Sequence, residues 1–218
     1  MFKLDLHTHS TLSHDGGLGE REYEDILGKG ILDYVAVTDH DEIDFGKKLH
    51  KKLGDRVIVG EEIGTKQGDL VGLYLKHRID NRYSVVETTK RIIDQGGVIY
   101  VPHPFHFFES SVNPSDIEDI LEITDKVIIE VFNARTAYFN RGKLAHAFSE
   151  KHNLAKGAGS DTHCKWGIGS AYTSIKNKPS PTNLHKLMSK GVITTKRAPL
   201  HSLLCPKINV IRKSISKR

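Results

Sequence analysis

Histidine and carboxylate side chains follow predicted β-strands at several separate points of this chain. His7 and His9 come directly after the apolar alternation of residues 2–6, and Asp161 and His163 follow a short predicted strand over residues 153–158. Side chains two residues apart on an extended chain point to the same face, so each pair can direct two groups at one spot. Because the pairs lie near opposite ends of the sequence, they predict a closed structure in which the first and last strands meet.

Predicted strands and helices alternate along the rest of the chain. Strands are predicted over residues 33–38, 56–60, 69–75, 98–101, 126–132 and 171–175, with a hairpin of 63–66 and 69–75 around Gln67 and Gly68. Helices are predicted over about 19–29, 43–53, 84–95, 114–123, 140–152 and 182–190. This alternation favours an α/β fold with a mainly parallel sheet.

Further candidate ligands lie where these strands end. His40, Glu62 and His103 each follow a different predicted strand. An open doubly wound sheet would spread them along one edge, whereas a (β/α) barrel gathers the carboxyl ends of its strands on the rim that carries the active site. The positions therefore favour a barrel with its site at the C-terminal ends of the strands.

Length and composition are those of one globular domain. The 218 residues are 38% hydrophobic, and no apolar run approaches the roughly 18 residues of a membrane span. Met1 leads straight into a strand, so we expect no signal peptide and no membrane association. The two cysteines, Cys164 and Cys205, are too few for a disulfide framework and favour a reducing, cytoplasmic setting.

Charge is distributed unevenly. Residues 1–161 contain 20 Lys and Arg against all 27 Asp and Glu, whereas residues 162–218 contain 12 Lys and Arg and no acid. This basic quarter is either a surface that attracts phosphates or a solvated flank that offsets an acidic body. We divide the chain into a barrel domain (1–195) and a basic C-terminal segment (196–218), which either packs near the site or is a loose tail.

The candidate ligands taken together indicate metal binding. A lone histidine near a strand end is usually a hydrogen-bonded core or surface residue, but buried unpaired charges are costly and clustered carboxylates repel one another unless a cation lies between them. Imidazole with carboxylate suits Zn²⁺, Mn²⁺ or Fe²⁺, and the number of candidates exceeds one tetrahedral site. Two or three divalent ions are therefore expected, and such sites support phosphoryl transfer by a metal-bridged hydroxide.

These motifs resemble those of the PHP family, named for polymerase and histidinol phosphatase. Its four motifs and a Gly-x-Glu-Ile element match His7-Thr8-His9-Ser10, Thr38-Asp39-His40-Asp41, His103-Pro104, Ser160-Asp161-Thr162-His163 and Gly60-Glu61-Glu62-Ile63. The resemblance runs from residue 3 to about 175. It implies a distorted (β/α)7 barrel with two or three metals, and it selects Glu62 over Glu61 as the bridging carboxylate.

The resemblance also implies which residues hold each ion. The first ion would be held by His7, His9, Glu62 and Asp161, the second by Glu62 and His103, and the third by Asp15, His40 and His163. In many relatives the loop acid stands one residue earlier, at the position of His14, so His14 remains an alternative to Asp15. Asn133 replaces a usual His or Cys, and its amide oxygen suits Mn²⁺ or Mg²⁺ better than Zn²⁺. The second ion is therefore expected to be weak, exchangeable or dependent on substrate.

A metal-dependent phosphoesterase is the predicted function. Asp161 is expected to act as general base, and Arg135 to grip phosphate. Arg197 and His201 are further substrate-binding candidates, since some family members place a C-terminal Arg and His over the site and residues 196–201 resemble that arrangement. The expected partner is a phosphorylated small molecule, a nucleotide or a nucleic-acid end, with no obligate protein partner. The alternatives are a non-phosphate hydrolase of amides or lactones and a non-catalytic, metal-stabilised binding module.

Overall fold

The computed structural model describes residues 1–107, 109–139 and 142–216. The strands are β1 (Phe2–Asp5), β2 (Tyr34–Val37), β3 (Val57–Gly64), β4 (Asp69–Leu73), β5 (Val98–Val101), β6 (Val127–Asn133), β7 (Ala155–Gly159), β8 (Ala171–Ile175) and β9 (Val192–Thr195). The helices are α1 (Glu20–Gly28), α2 (Asp44–Leu53), α3 (Val85–Asp94), α4 (Pro114–Leu121), α5 (Gly142–Lys151), α6 (Leu184–Met188) and α7 (Cys205–Ser216). Short 3-10 helices cover Gly54–Arg56, Ala137–Phe139 and Leu200–Leu204. Within these residues, no helix is long and apolar enough to cross a membrane.

Local sequence signals account for most helix boundaries. Ser84 accepts a hydrogen bond from the Glu87 N–H at the start of α3, and Asn113 caps α4 ahead of Pro114. Gly30 follows α1 with φ of 63°, a conformation that favours glycine after a helix. The helix predicted over 140–152 corresponds to α5, and its predicted first residues, 140 and 141, lie outside the described residues.

The sheet is mixed, so the prediction of a mainly parallel sheet is wrong. Its strand order is β7-β6-β5-β4-β3-β2-β1-β8-β9. Pairing is parallel for β1–β2, β2–β3, β5–β6 and β6–β7 but antiparallel for β3–β4, β4–β5, β1–β8 and β8–β9. The predicted hairpin at Gly68 is present, and it reverses the chain because so short a connection can only join antiparallel strands. The segments predicted as 56–60 and 63–66 form the single strand β3.

The sheet closes into a distorted barrel beside the first and last ligand pairs. The Asp161 N–H donates to the His7 carbonyl (N···O 2.9 Å), and the His9 N–H donates to the Thr162 carbonyl (3.0 Å). The predicted barrel and the meeting of first and last strands are confirmed. A strict series of seven strand–helix units is not what the described residues show, because no helix separates β3 from β4 or β7 from β8.

Apolar side chains fill the barrel below this closure. Leu4, Leu6, Tyr100 and Ile128 are fully buried in the interior cluster, which the α6 side chains Leu184 and Met188 also join. The outer face of the sheet packs against the helices: α1 and α2 cover β2 and β3, and α3, α4 and α5 cover β3 to β6. The strands are thereby packed on the inner face by the interior cluster and on the outer face by helices, so the strand ends that carry the ligands are held in place.

The C-terminal segment, for which no secondary structure was predicted, contains α7. A disulfide joins Cys205, the first residue of α7, to Cys164. The count of two cysteines predicted a reducing setting without a disulfide framework, and sequence alone could not show that residues 41 positions apart meet in the fold. Strand β9, which precedes this segment, was also missed because its residues are only half-buried or exposed.

Candidate metal centre

The ligands expected from five separate motifs meet in one place. Among the described residues, three groups have one potential ligand atom per residue, all within 4.8 Å of one another. These groups, called set A, set B and set C below, are His7, His9 and Asp161 (set A); His7, Glu62 and His103 (set B); and His9, Asp15, His40 and His163 (set C). His7 and His9 each belong to two sets, so the sets are immediate neighbours.

Glu62 lies at the centre of the three sets. Its Oε2 atom is 3.2 Å from Nε2 of both His7 and His9 and 3.5 Å from Nδ1 of His40. Its Oε1 atom is 3.0 Å from Nε2 of His103. The two carboxylate oxygens therefore face different imidazoles, the arrangement that a bridging carboxylate requires. Glu61 points away from the cluster and accepts a hydrogen bond from the Ile79 N–H (2.8 Å).

Asp161 completes set A from the opposite side. Its Oδ1 atom is 3.7 Å from Nε2 of His7 and 3.5 Å from Nε2 of His9. Asp161 and His103 have φ values of 50° and 27°, in the left-handed region that side-chain-bearing residues seldom adopt. Such strain persists where the surroundings hold a residue in a required direction, and here both residues turn their side chains into the cluster.

Set C depends on the loop after β1. Asp15 Oδ2 lies 3.0 Å from Nε2 of His163 and 3.8 Å from Nε2 of His40. The His9 ring stacks on both His163 (4.2 Å between ring centres) and His40 (4.8 Å). His14, the alternative loop ligand, is 69% exposed, and its Nδ1 is 3.9 Å from Asp15 Oδ1. The loop therefore directs the Asp15 carboxylate into set C, whereas the exposed His14 ring lies 5.0 Å from the ring centre of His40, at the edge of that set.

The carboxylates of the metal-free cluster attract positive charge, which protons on some imidazoles supply and which a bound cation would supply in their place. Burial lowers the pKa of His40 to about 4 and also lowers that of His163, which leaves neutral imidazoles able to coordinate. Burial alone would also lower the pKa of His9, but the carboxylates of Asp161 and Glu62 outweigh it and raise the pKa to about 9. Burial would raise the pKa of Glu62, but His7 and His40 hold it well below its usual range.

The donor set therefore fits divalent metal ions. Both ring nitrogens of His9 are buried without a hydrogen-bond partner among the described residues, although Nε2 faces two carboxylates. Buried polar atoms are normally paired, so such atoms need a partner of another kind. Imidazole nitrogen with carboxylate oxygen is the donor combination of first-row divalent ions.

Sequence reasoning missed Glu130, which holds the cluster from behind. Its carboxylate accepts from the Tyr100 hydroxyl (2.8 Å) and the His103 N–H (2.6 Å), and it lies 3.2 Å from Nδ1 of His7. A carboxylate behind a ligating histidine fixes the orientation of its ring. Glu130 is the one acid in the apolar strand Val127–Asn133, and this isolated charge was the signal that could have identified it.

Asn133 braces the cluster in a way that differs from the expected ligand role. Its Nδ2 donates to Glu130 Oε2 (2.8 Å) and Asp161 Oδ2 (3.0 Å), while its Oδ1 accepts from the N–H groups of Arg135 (3.1 Å) and Thr136 (2.9 Å). The amide oxygen, which was the candidate metal ligand, is thus engaged by the backbone. The amide nitrogen is the group that faces the cluster.

The three predicted substrate-binding residues lie in different surroundings. Arg135 Nε donates to Asp161 Oδ2 (3.0 Å), and its Nη2 contacts Glu109 Oε2 (2.9 Å). Arg197 lies 5.1 Å from the centre of the Tyr138 ring and lines a cavity of about 480 Å³ that Asn133 also lines. His201 packs edge-on against Trp166 and is exposed. Arg135 is therefore the member of the three that contacts the cluster directly.

Part of this chain matches a known family profile, and nearly all of it aligns with a relative from an archaeon. The profile described as PHP-associated matches residues 141–189. The chain is 30% identical over 221 residues to the uncharacterized protein MJ0417 of Methanocaldococcus jannaschii, covering 96% of this chain and 85% of that protein.

Solved structures share the fold. One is a two-domain protein from Bacteroides vulgatus that contains a predicted PHP-like metal-dependent phosphoesterase, with a TM-score of 0.69, 17% identity, and coverage of 95% of this chain and 69% of that one. Another is PsfC from Pseudomonas syringae, with a TM-score of 0.68, 16% identity and 98% coverage of both chains. With the four motifs gathered at the closure of a distorted barrel, these matches show that the chain belongs to the PHP family.

Proposed function

We propose that this protein is a metal-dependent hydrolase of phosphate esters, with sets A, B and C as its metal centre. The observation that carries the proposal is the sharing of ligands: Glu62, His7 and His9 each face more than one set. When bound there, divalent ions would polarise phosphoryl oxygens and lower the pKa of an attacking water. Zn²⁺, Mn²⁺ and Fe²⁺ match the donors, and Mg²⁺ matches the carboxylates.

Asp161 is the group that we assign to accept the proton of the attacking water. Burial would raise the pKa of its carboxyl, but Arg135 and His7 hold the pKa well below its usual range. Asp161 is therefore ionised at neutral pH and can act as a hydrogen-bond acceptor at the reacting position. Its left-handed backbone and its two hydrogen bonds from Asn133 and Arg135 keep the carboxylate directed into the cluster.

Arg135 is the group that we assign to orient the phosphate. The Arg135 side chain is 19% exposed, and the carboxylates of Glu109 and Asp161 contact its guanidinium and fix its plane. A guanidinium has five N–H donors, more than these two contacts use, and its fork matches phosphate oxygens. The substrate classes that fit are a nucleotide, an oligonucleotide 5′ end and a small phosphomonoester.

Two adjacent glutamates provide a matched test. Glu62→Gln removes the central charge of the cluster, whereas Glu61→Gln changes a neighbouring buried carboxyl that faces away from it. Each variant would be purified without chelator, loaded with Mn²⁺, and assayed for bound metal and for phosphate release from nucleotides, 5′-phosphorylated oligonucleotides and small phosphomonoesters. We expect Glu62→Gln to lose metal and at least about a hundredfold in kcat/KM, and Glu61→Gln to retain both.

Other results would contradict the proposal in different ways. Equal effects of the two substitutions would mean that the cluster is not the reaction centre. Metal binding without phosphate release, but with cleavage of amides or lactones, would favour a non-phosphate hydrolase. A wild-type chain that stays folded and takes up no metal would favour a binding module.

A further inference from the structure

One face of the C-terminal helix α7 contacts the backbone that carries set C. The Asn209 side-chain amide donates to the carbonyls of Asp15 and His163, both at 2.9 Å. These are the two residues whose side chains meet at 3.0 Å within set C. A single amide therefore holds together two backbone segments that lie 194 and 46 residues away from it in sequence.

Lys213, one turn further along α7, holds the same loop. Its Nζ atom donates to the carbonyls of Ser13 and Gly16, the latter at 2.7 Å. Gly17 allows Asn209 to approach the loop closely, because a Cβ atom at position 17 would lie 2.7 Å from Asn209 Nδ2 and 2.8 Å from the His163 carbonyl oxygen. The loop from Ser13 to Gly17 is irregular, so its shape depends on such contacts from outside.

Apolar packing contributes little to the docking of α7. Cys205 is its buried residue, whereas Ile208, Val210, Ile211 and Ile215 are 42–68% exposed. Cys205 is also the residue whose disulfide reaches Cys164, directly after the set C ligand His163. The helix is therefore held by the polar contacts of Asn209 and Lys213 and by one covalent bond at its first residue.

We propose that α7 is a clamp on set C, with Asn209 as a positioning residue and the Cys164–Cys205 disulfide as the anchor that makes the clamp sensitive to reduction. A dithiol reductant would supply two electrons and two protons, break the Sγ–Sγ bond, leave two thiols and itself become a disulfide. Release of α7 then frees the Asp15 loop and weakens the ion held by set C. The inference rests on the proposed metal centre and concerns the regulation of that site.

The positioning role is tested by Mn²⁺ binding to the metal-free full-length chain. Asn209→Asp keeps the size of the side chain but replaces both donors with acceptors facing two carbonyls, and Ser214→Ala, on the exposed side of α7, is the control. We expect Asn209→Asp to lower the affinity for one Mn²⁺ ion about tenfold or more, and this should be the ion whose affinity Asp15→Asn also lowers. The affinities for the other ions should change by less than about twofold. The melting temperature of the metal-free chain should match that of Ser214→Ala.

Hydrogen exchange gives a second readout that needs no metal. In metal-free Asn209→Asp, the amides of residues 13–17 should exchange faster, while those of β5 and β6 should not change. Unchanged Mn²⁺ affinity at every ion would overturn the clamp. An equal loss of affinity for all Mn²⁺ ions together with a lower melting temperature would also overturn the clamp, because it would indicate a general structural effect.

The anchor is tested with Cys164→Ser/Cys205→Ser and with wild-type protein treated with a dithiol that is removed before titration. Both should show the same selective loss of one Mn²⁺ ion, and reoxidation of the treated wild type should restore it. Full affinity in both samples would overturn the redox part of the proposal. If wild-type protein binds Mn²⁺ as described but releases phosphate from no substrate, the proposed function fails and the clamp stands.

Discussion

At the scale of single residues, Glu61 shows that a carboxyl can be fully buried next to the metal centre without belonging to it. Its Oε2 accepts from the Ile79 N–H, but its Oε1 has no hydrogen-bond partner among the described residues, and the nearest ion-pair contact is Arg78 Nε at 3.9 Å. Burial, together with nearby Asp41, raises the pKa of Glu61 to about 8. The folded chain therefore favours the protonated form of this side chain.

A pH-dependent stability follows for the metal-free protein. Because the folded pKa of Glu61 exceeds its unfolded value of 4.5, the folded state binds the extra proton, and its stabilising effect is lost as the pH rises from about 4.5 to 8. Glu61→Gln cannot ionise, so it should gain stability relative to wild type by a few kcal/mol, on the order of 1.4 kcal/mol per pKa unit, between pH 5 and pH 8.5.

Urea unfolding with chelator present, at both pH values and for both proteins, measures this difference. If the free energies of unfolding of wild type and Glu61→Gln differed by the same amount at pH 5 and pH 8.5, Glu61 would not take up a proton on folding.

Sequence reasoning at this scale succeeded where motif spacing sets direction and failed where a side chain makes contacts from an unexpected element. The pairs His7/His9 and Asp161/His163 point inward because residues two apart on an extended chain share a face. Asn133 and Arg135 follow the same spacing, but the turn after β6 directs the Asn133 oxygen to the backbone. Asn209 carries no local signal, because its partners are backbone carbonyls, which any sequence provides.

At the scale of secondary-structure elements, β5 and β6 act as a support for the metal centre. Tyr100 on β5 and Glu130 on β6 lie on the inner side of the barrel, and the Glu130 carboxylate also holds the His103 N–H and the His7 ring. This places the carboxylate between two ligands of set B. The strand pair therefore orients the ring of His7, which comes from the other side of the barrel closure, and holds the backbone of His103.

Removing the charge of Glu130 should weaken metal binding without unfolding the chain. Glu130→Gln keeps the shape of the side chain but replaces an acceptor oxygen with a donor group, so the His7 ring loses its orienting carboxylate. We expect Mn²⁺ affinity to fall about 10- to 100-fold. Titration calorimetry on metal-free protein measures this, with Glu150→Gln on the outer helix α5 as the control; equal affinities for the two variants would rule out the supporting role.

The elements themselves were predicted from periodicity with uneven success. β5 and β8 match the predicted ranges, and β5 is bounded by Gly97 on one side and by Pro102, ahead of the ligand motif at His103, on the other. The hairpin predicted at Gly68 gave the direction of β4. The direction of β8 was not predictable, because an isolated strand carries no signal of which way its neighbour runs. α7 was missed because it exposes apolar residues and lacks the pattern of a buried face.

At the scale of the whole molecule, the separation of charge brings a basic helix next to the Asp15 loop, which belongs to the net-acidic residues 1–161. Residues 162–218 contain no acid, and α7 meets the Asp15 loop through Lys213. Lys207 and Arg212 are exposed on the same helix. A substrate with several phosphates would meet this positive potential as it approaches the metal centre.

Neutralising that potential should affect polyanionic substrates most. For Lys207→Gln/Arg212→Gln we expect a higher KM for a 5′-phosphorylated oligonucleotide, a weaker dependence of KM on salt, and little change for a small phosphomonoester. Lys51→Gln/Lys52→Gln on α2 is the matched control. An unchanged salt dependence in the α7 variant would mean that the basic quarter is a solvated flank and that nucleic-acid ends are not the favoured substrates.

The barrel closure has a consequence for how the protein is made. Set B is complete once residue 103 has been synthesised, but sets A and C lack a member until Asp161 and His163 leave the ribosome. These residues also supply the hydrogen bonds that join the last strands to the first. Sets A and C can therefore form only late in biogenesis, and a nascent chain that ends before Asp161 would contain set B alone.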